Sequence, residues 1–466
     1  MKPVRGISST SQSGLDLLVE AKTIVEMVAT REINQDSCEH ELGNLISDYQ
    51  LLSPQNLDLN EMKTNGQLIL DASFEARLAL HSILTILPIN CKIKIKELNQ
   101  LIRLSDDYVG THFYQDPQVT SGSIDFPNEK IPVYEPESYH PYHVGAGIDP
   151  KSKFQFQNGD IMITKGVSFV SSTISEIAHP RSLFSHIVFV HVDSKTKEVT
   201  TIESYVGKGV SIFPIEEALK NENARILVLR SKDSELASKA ADYMFNKVVA
   251  LKKQNKFIPY DYELDFSDNS TMSCEEVAYD SYKHESEGKV ILPELMSDIT
   301  MNDASFLKRI GIKKGKMMVP TDMETDSRFN IVLDWTDYRL MRESWKKDVV
   351  LGEMFRWINE HDYKIHENLT SIAAKVIWST RNIPLVWNMM SKVSGIPKDF
   401  TKDVPSLTIT TLASLKTIGG ILLEELTKAD IDYFIKNGKW MSSEMLRDSL
   451  ERFRESDPKK LKKVFR

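Results

Sequence analysis

Residues 184–190 read Phe184-Ser185-His186-Ile187-Val188-Phe189-Val190. From Ile187 to Val190 the run is apolar without the alternation of a half-exposed strand, which marks a strand buried on both faces. Further strand-like runs surround it: Asp160–Thr164, Val199–Val206, Val210–Phe213 and Arg225–Leu229. A helix is predicted from about Ser234 to Leu251, where Leu236, Ala240, Tyr243, Met244 and Val248 fall on one side, and another is predicted to start near Ser273. Several strands with segregated helices make an α+β unit over 154–319.

Outside this unit the period changes. Residues 1–12 are polar, Ser-rich and expected to be flexible, and 13–116 read as a helical region. Its first stripe is Leu17, Ala21, Ile24, Val25 and Val28, followed by helical stretches near Leu59–Ile86 and Ile93–Val109. Residues 117–153 hold Pro117, Pro127, Pro132, Pro136, Pro141 and Pro150, with Tyr134, Tyr139, His140, Tyr142 and His143 among them. Proline fixes φ and lacks an amide donor, so this stretch is expected to be an extended linker or a lid. From 320 to 466 the chain is again mainly helical, with Met341, Trp345, Met354, Phe355 and Ile358 on one long amphipathic helix, and it closes on a basic tail, Lys459–Arg466, expected to be solvated.

Composition narrows the function classes. The 466 residues are 41% hydrophobic and 27% charged, which excludes a wholly disordered or fibrous chain. The net charge of −8 argues against nucleic acid as a partner. Lys2 and Arg5 are not followed by an apolar run of signal-peptide length, so the default expectation is cytoplasmic, or the cell envelope if a leader has been removed. The most apolar C-terminal stretch, Leu407–Leu426, is broken by Lys416, Glu424 and Glu425, and no integral membrane span is expected. The three cysteines, Cys38, Cys91 and Cys274, are too few and too odd in number for a disulfide framework and too widely spaced for a zinc finger, which raises the question of a chemical thiol. His140 and His143 lack a nearby acidic or thiol ligand at a useful spacing, and Gly145-Ala146-Gly147 lacks the third glycine of a dinucleotide fingerprint, so no metal or organic cofactor is expected.

The chemistry-bearing segment is Ser273-Cys274-Glu275-Glu276-Val277-Ala278. Ser273 with Glu276 three residues on fits a capping box, which puts Cys274 at the first position of a helix. Unpaired amides and the helix dipole at that position favour an anion, so the thiol pKa is expected below its free value of about 8.5, while Glu275 and Glu276 oppose the shift and call for a cationic partner. A buried inert cysteine is the other reading. His186, at the head of the apolar strand, is the candidate base, with a satisfied core histidine as its alternative, and Glu203 could accept from its far ring nitrogen and set the tautomer.

The order is Gly159-Asp160-Ile161, then Ser185-His186-Ile187, then Ile202-Glu203, then Tyr260-Asp261 with Phe266, then Cys274, Glu276 and Val277. This ordered set over 154–284 resembles the circularly permuted NlpC-type, papain-like cysteine hydrolases of the YiiX/YebB-like kind, in which the histidine precedes the cysteine. The chain departs from their pattern at Ser273, where an aromatic residue is usual, and at Glu275, where a serine is usual. The resemblance implies a permuted papain-like antiparallel sheet with packed helices, flanked here by N- and C-terminal helical regions. It further implies a bacterial-type thiol peptidase or amidase that needs no cofactor. Cys274 would be the nucleophile, His186 the base and Glu203 its orienting acid, with Tyr260, Asp261 and Ser185 at substrate-binding positions. The substrate would be a peptide or acyl amide, peptidoglycan peptides being the family's best-known class. Two alternatives stay open. One is a lipid-directed thiol acyltransferase or thioesterase on the same fold, against which Cys274-Glu275-Glu276 lacks the Cys-Glu-His run of those enzymes. The other is a binding or scaffold protein with a degenerate site.

Overall fold

The structure, a computed structural model, describes residues 14–52, 56–114, 142–145, 147–149, 153–220, 223–299, 307, 315–361, 363, 375, 378–379 and 405–456. Most of the Pro-rich stretch, with His140, and the whole basic tail lie outside them.

Four helices come first: α1 (Gly14–Ala29), α2 (Cys38–Leu51), α3 (Leu59–Ser82) and α4 (Ile89–Phe113), with a single 3-10 turn, Leu84–Ile86, between the last two. Asp58 starts α3 by accepting from the Asn60 and Glu61 amides. The predicted stripe is largely buried: Leu17, Ala21 and Ile24 pack with Leu42, Leu45, Ile69, Leu80, Ile95 and Ile102. Cys38 and Cys91 are joined as a disulfide that ties α2 to α4, their Cα atoms 6.0 Å apart. The cysteine set is no disulfide framework, as its number indicates, yet it holds one bond. Three cysteines cannot staple a whole chain, but two of them, 53 residues apart, close one loop inside the helical unit.

The central sheet has seven strands, β1 (Tyr142–Val144), β2 (Ile161–Gly166), β4 (His186–Val192), β5 (Val199–Tyr205), β6 (Gly209–Pro214), β7 (Asn223–Ser231) and β10 (Phe329–Thr336). Its order is β1-β10-β7-β2-β4-β5-β6, and every pairing is antiparallel. A second, three-stranded sheet joins β3 (Ala178–His179), β8 (Ser297–Ile299) and β9 (Lys316–Met317). The remaining helices are α5 (Phe169–Glu176), α6 (Ile215–Lys220), α7 (Ser234–Lys253), α8 (Cys274–Glu285), α9 (Pro320–Glu324), α10 (Tyr338–His361), α11 (Ser406–Asn437) and α12 (Ser443–Ser456). The architecture is α+β around an antiparallel sheet, as the strand pattern indicates. The sheet also reaches further along the chain than 154–319, since it takes β1 from the Pro-rich stretch and β10 from the C-terminal region.

β4 is buried on both faces, as its unbroken apolar run requires. Ile187 and Phe189 pack toward α7 and α8 beside Ala240, Met244, Val277 and Ala278. Val188 and Val190 pack on the opposite face beside Ile215 and Leu219 of α6. Gly159, just before β2, has φ +90°, and a Cβ there would lie 2.5 Å from the Ala237 carbonyl. Asp160 is fully engaged in structure: it accepts from Arg230 at 2.9 and 2.8 Å and from the Gln157 amide at 2.8 Å. The Gly-Asp opening of the motif is therefore a device for starting a strand under α7. On the C-terminal side, α10 buries Met341, Trp345, Met354, Phe355 and Ile358, and its last turns pack against α11 and α12 through Leu415, Ile418, Leu422, Leu446 and Leu450. Among the described residues no helix is long and apolar enough to cross a membrane.

Candidate active site

Cys274 is the first residue of α8 and Ser273 is its N-cap. Glu276 folds back to accept from the Ser273 amide at 2.7 Å, so α8 starts where the capping-box spacing puts it. The segment leading into α8 is tethered to the sheet. Met272 N–H donates to Pro259 O at 2.9 Å, Val210 N–H to Ile258 O at 2.9 Å, and Ser204 Oγ to Met272 O at 2.5 Å. These bonds place the α8 N-terminus over the head of β4, where His186 stands.

His186 and Glu203 sit on adjacent strands, and their side chains meet: Nε2 lies 2.9 Å from Glu203 Oε2. The acid is buried and receives two further hydrogen bonds, from Thr201 Oγ1 at 2.5 Å to Oε1 and from Tyr205 Oη at 2.6 Å to Oε2. Burial pushes the Glu203 carboxyl up, but the hydrogen bonds from His186, Thr201 and Tyr205 outweigh it and hold its pKa below the ordinary value. The Tyr205 ring also stacks on the imidazole, centroids 4.8 Å apart. Thr201 and Tyr205 were not singled out from the sequence. The signal was there: Thr201, Glu203 and Tyr205 alternate along β5 and so share one face.

Cys274 and His186 line one cavity of about 300 Å³, together with Ser185, Ser204, Tyr205, Val206 and Tyr260. That lies at the lower end of the range for small-molecule sites. The thiol itself departs from expectation. Cys274 is buried, and burial, then the neighbouring Glu275 carboxyl, push its pKa well above the usual value, while the Ile187 and Cys274 backbone amides pull weakly the other way. The expected lowering is thereby corrected: the backbone amides at the helix N-terminus still favour an anion, but the cost of burying a thiolate and the Glu275 carboxyl outweigh them. Among the described residues no hydrogen bond joins the thiol to the imidazole. Cys38 and Cys91 being bonded, Cys274 is the one free thiol.

The other sequence candidates fall into two groups. Tyr260 borders the cavity, and burial followed by the nearby Cys274 and Glu275 push its pKa far up, so it stays a neutral O–H beside the sulfur. Ser185 borders the same cavity, but its Oγ accepts from the Gly166 amide at 3.1 Å and so helps hold β2 to β4. Asp261 is committed to its own loop, accepting from the Glu263 amide at 2.8 Å and the Asp265 amide at 2.6 Å. His143 pairs with Asp71 at 2.9 Å, remote in the fold from Cys274, and the described residues hold no group of three or more His, Cys, Asp or Glu suited to a metal.

Taken together, the site brings a thiol and an imidazole to one cavity beside a helix N-terminus, with a buried carboxylate held against the imidazole. Compared with protein-family models, with curated proteins and with solved structures, the chain matches none.

Proposed function

We propose that the chain is a cysteine hydrolase that cleaves an amide bond through Cys274, His186 and Glu203. The observation that carries this reading is the 2.9 Å bond from His186 to a buried Glu203 at the wall of the cavity that Cys274 also lines. With Nε2 held by Glu203, Nδ1 is the ring nitrogen left for exchange with the thiol. A sulfur whose pKa is held up rests as S–H, so proton transfer accompanies attack rather than preceding it. Cys274 sulfur bonds to the carbonyl carbon as its proton passes to His186. The C–N bond then breaks, the amine leaves with that proton, and a thioester remains. Water, deprotonated by His186, adds to the thioester and releases a carboxylic acid and the free thiol. The donors assigned to the developing oxyanion in this reading are the Cys274 N–H at the start of α8 and the Tyr260 O–H at the border of the same cavity. By resemblance, the substrate class is a peptide, with cell-wall peptide as the first to test.

A second reading, a binding protein with a degenerate site, is favoured by the buried thiol and by Glu275 beside it. One experiment separates the two. The wild-type chain is incubated with peptide amides, followed by product chromatography and intact-mass detection of an acyl adduct on Cys274. Turnover that falls by about 10²–10⁴-fold in His186→Ala and vanishes in Cys274→Ala, with unchanged circular dichroism, supports the hydrolase. Full activity in His186→Ala, or no adduct with any amide, sinks it.

A further inference from the structure

A second, largely apolar chamber of about 100 Å³ lies against the Cys274 cavity, and the two share Val170, Ile174, Val206 and Tyr260 as a common wall. Thr173, Ile177, Tyr262 and Leu264 continue its wall, and Met317 of β9 with Thr411 and Leu415 of α11 close it from far along the chain. Thr411 and Leu415 are one helical turn apart and so lie on one face of α11. The next residue on that face is Gly419, where a Cβ would fall 2.6 Å from the Phe169 ring of α5. That close approach seats α11 on α5 and brings Leu415 to the chamber beside Ile174. Met317, Thr411 and Leu415 lie outside 154–284, so segments C-terminal to the motif-bearing core close a chamber whose other lining residues belong to that core.

We propose that this chamber is a specificity subsite for a compact, branched apolar group of the substrate, completed by the C-terminal helix α11. The proposal rests on the hydrolase reading for what happens to the bound group, but not for the binding itself. Size and chemistry set the occupant. The chamber is smaller than the cavity of about 150 Å³ that accommodates benzene, so it suits an isobutyl-sized group rather than a long chain. Glu275 and Asp261 are its acidic members and no Lys or Arg is among its described lining residues, so a ligand carboxylate would find no counter-charge there, while an aliphatic group meets Ile174, Val206 and Leu415. Such a group reaches the chamber either as a leucine-like side chain or as a short branched acyl chain.

The test has a binding arm and a turnover arm, both on the full chain. Binding of acetamide, 3-methylbutyramide and succinamate to Cys274→Ala is followed by ligand-observed NMR. The branched amide is expected to bind about 10–100-fold more tightly than acetamide, from three extra buried carbons, and succinamate more weakly than 3-methylbutyramide. Leu415→Trp, which fills the chamber, is expected to erase the preference. Leu415→Ala, which enlarges it, is expected to move the optimum to phenylacetamide and keeps the test alive if the tryptophan variant does not fold. Equal affinity across the series, or a preference unchanged in both Leu415 variants, overturns the chamber. The turnover arm compares the 3-methylbutyryl and acetyl-leucyl p-nitroanilides with wild-type chain, and the better substrate names the source of the group. If neither turns over while the binding order holds, the hydrolase reading fails and the subsite stands.

Discussion

Cys274 shows how one neighbour sets the reactivity of a side chain. Its position at N1 was legible from Ser273 and Glu276 alone, yet its pKa was not, because burial is a property of what the loop and strands place above it. Glu275 is the removable part of that shift. Glu275→Gln removes the carboxyl that disfavours a thiolate, so the thiolate forms at lower pH. The expected outcome is a downward move in the pH midpoint of Cys274 alkylation by iodoacetamide, with a faster rate near neutral pH. An unchanged midpoint would mean that burial alone controls the thiol. For His186, the partner was read correctly as Glu203, but not the degree of support. Glu203→Gln keeps a hydrogen-bond acceptor while removing the charge, and is expected to lower kcat less than His186→Ala does, measured on the same amide substrate.

At the scale of elements, β4 and β5 were legible because their patterns differ. An apolar run is buried on both faces, while Thr201, Glu203 and Tyr205 alternate and collect on one face. β10 was missed, though Phe329–Thr336 is equally apolar, because it follows helical sequence and its partner β7 lies about a hundred residues earlier. α2 was not singled out either, although Cys38, Leu42, Leu45, Ile46 and Tyr49 recur at helical spacing, the signal that could have found it. The Cys38–Cys91 bond closes a loop of 53 residues, and its loss is expected to cost about 4 kcal/mol through the entropy returned to the unfolded chain. The Cys38→Ser/Cys91→Ser double variant should therefore unfold at lower urea than the wild type under non-reducing conditions. Equal midpoints would show that the packing of α1–α4 is sufficient.

Across the whole molecule, the N-terminal helices are bound to the sheet by buried charge. Arg77 meets Asp334 at 2.6 Å, Arg103 meets Glu324 at 2.6 Å and Asp334 at 3.0 Å, Arg225 meets Asp107, and Lys96 meets Asp322. These pairs join α3 and α4 to β7, α9 and β10. Such pairs add little net stability, but removing one partner strands a buried charge, so they select one docking of the helices over others. Asp106 sits among them without a close cation, its nearest guanidinium, that of Arg77, being 3.9 Å away. Burial raises its pKa from about 3.8 to about 6, against the pull of Arg77. The sign follows. Between those values the folded chain holds a proton that the unfolded chain has lost, so this group adds stability as pH falls from 7 toward 4 and withdraws it as pH rises. Asp106→Asn is expected to be more stable than wild type at pH 7 and to lose that advantage near pH 4, measured by urea unfolding at both. A constant difference between the two proteins would place the titration elsewhere.

The linear order of residues was enough for the α+β class, for the strand carrying His186 and for the helix that begins at Cys274. Each follows from spacing within a few residues or from alternation along a strand, which are local properties of a polymer. The covered thiol, the disulfide within the helical unit, the strands lent by both flanks and the chamber closed by α11 required the folded chain. They depend on which distant segments exclude water from one another, and no local pattern encodes that.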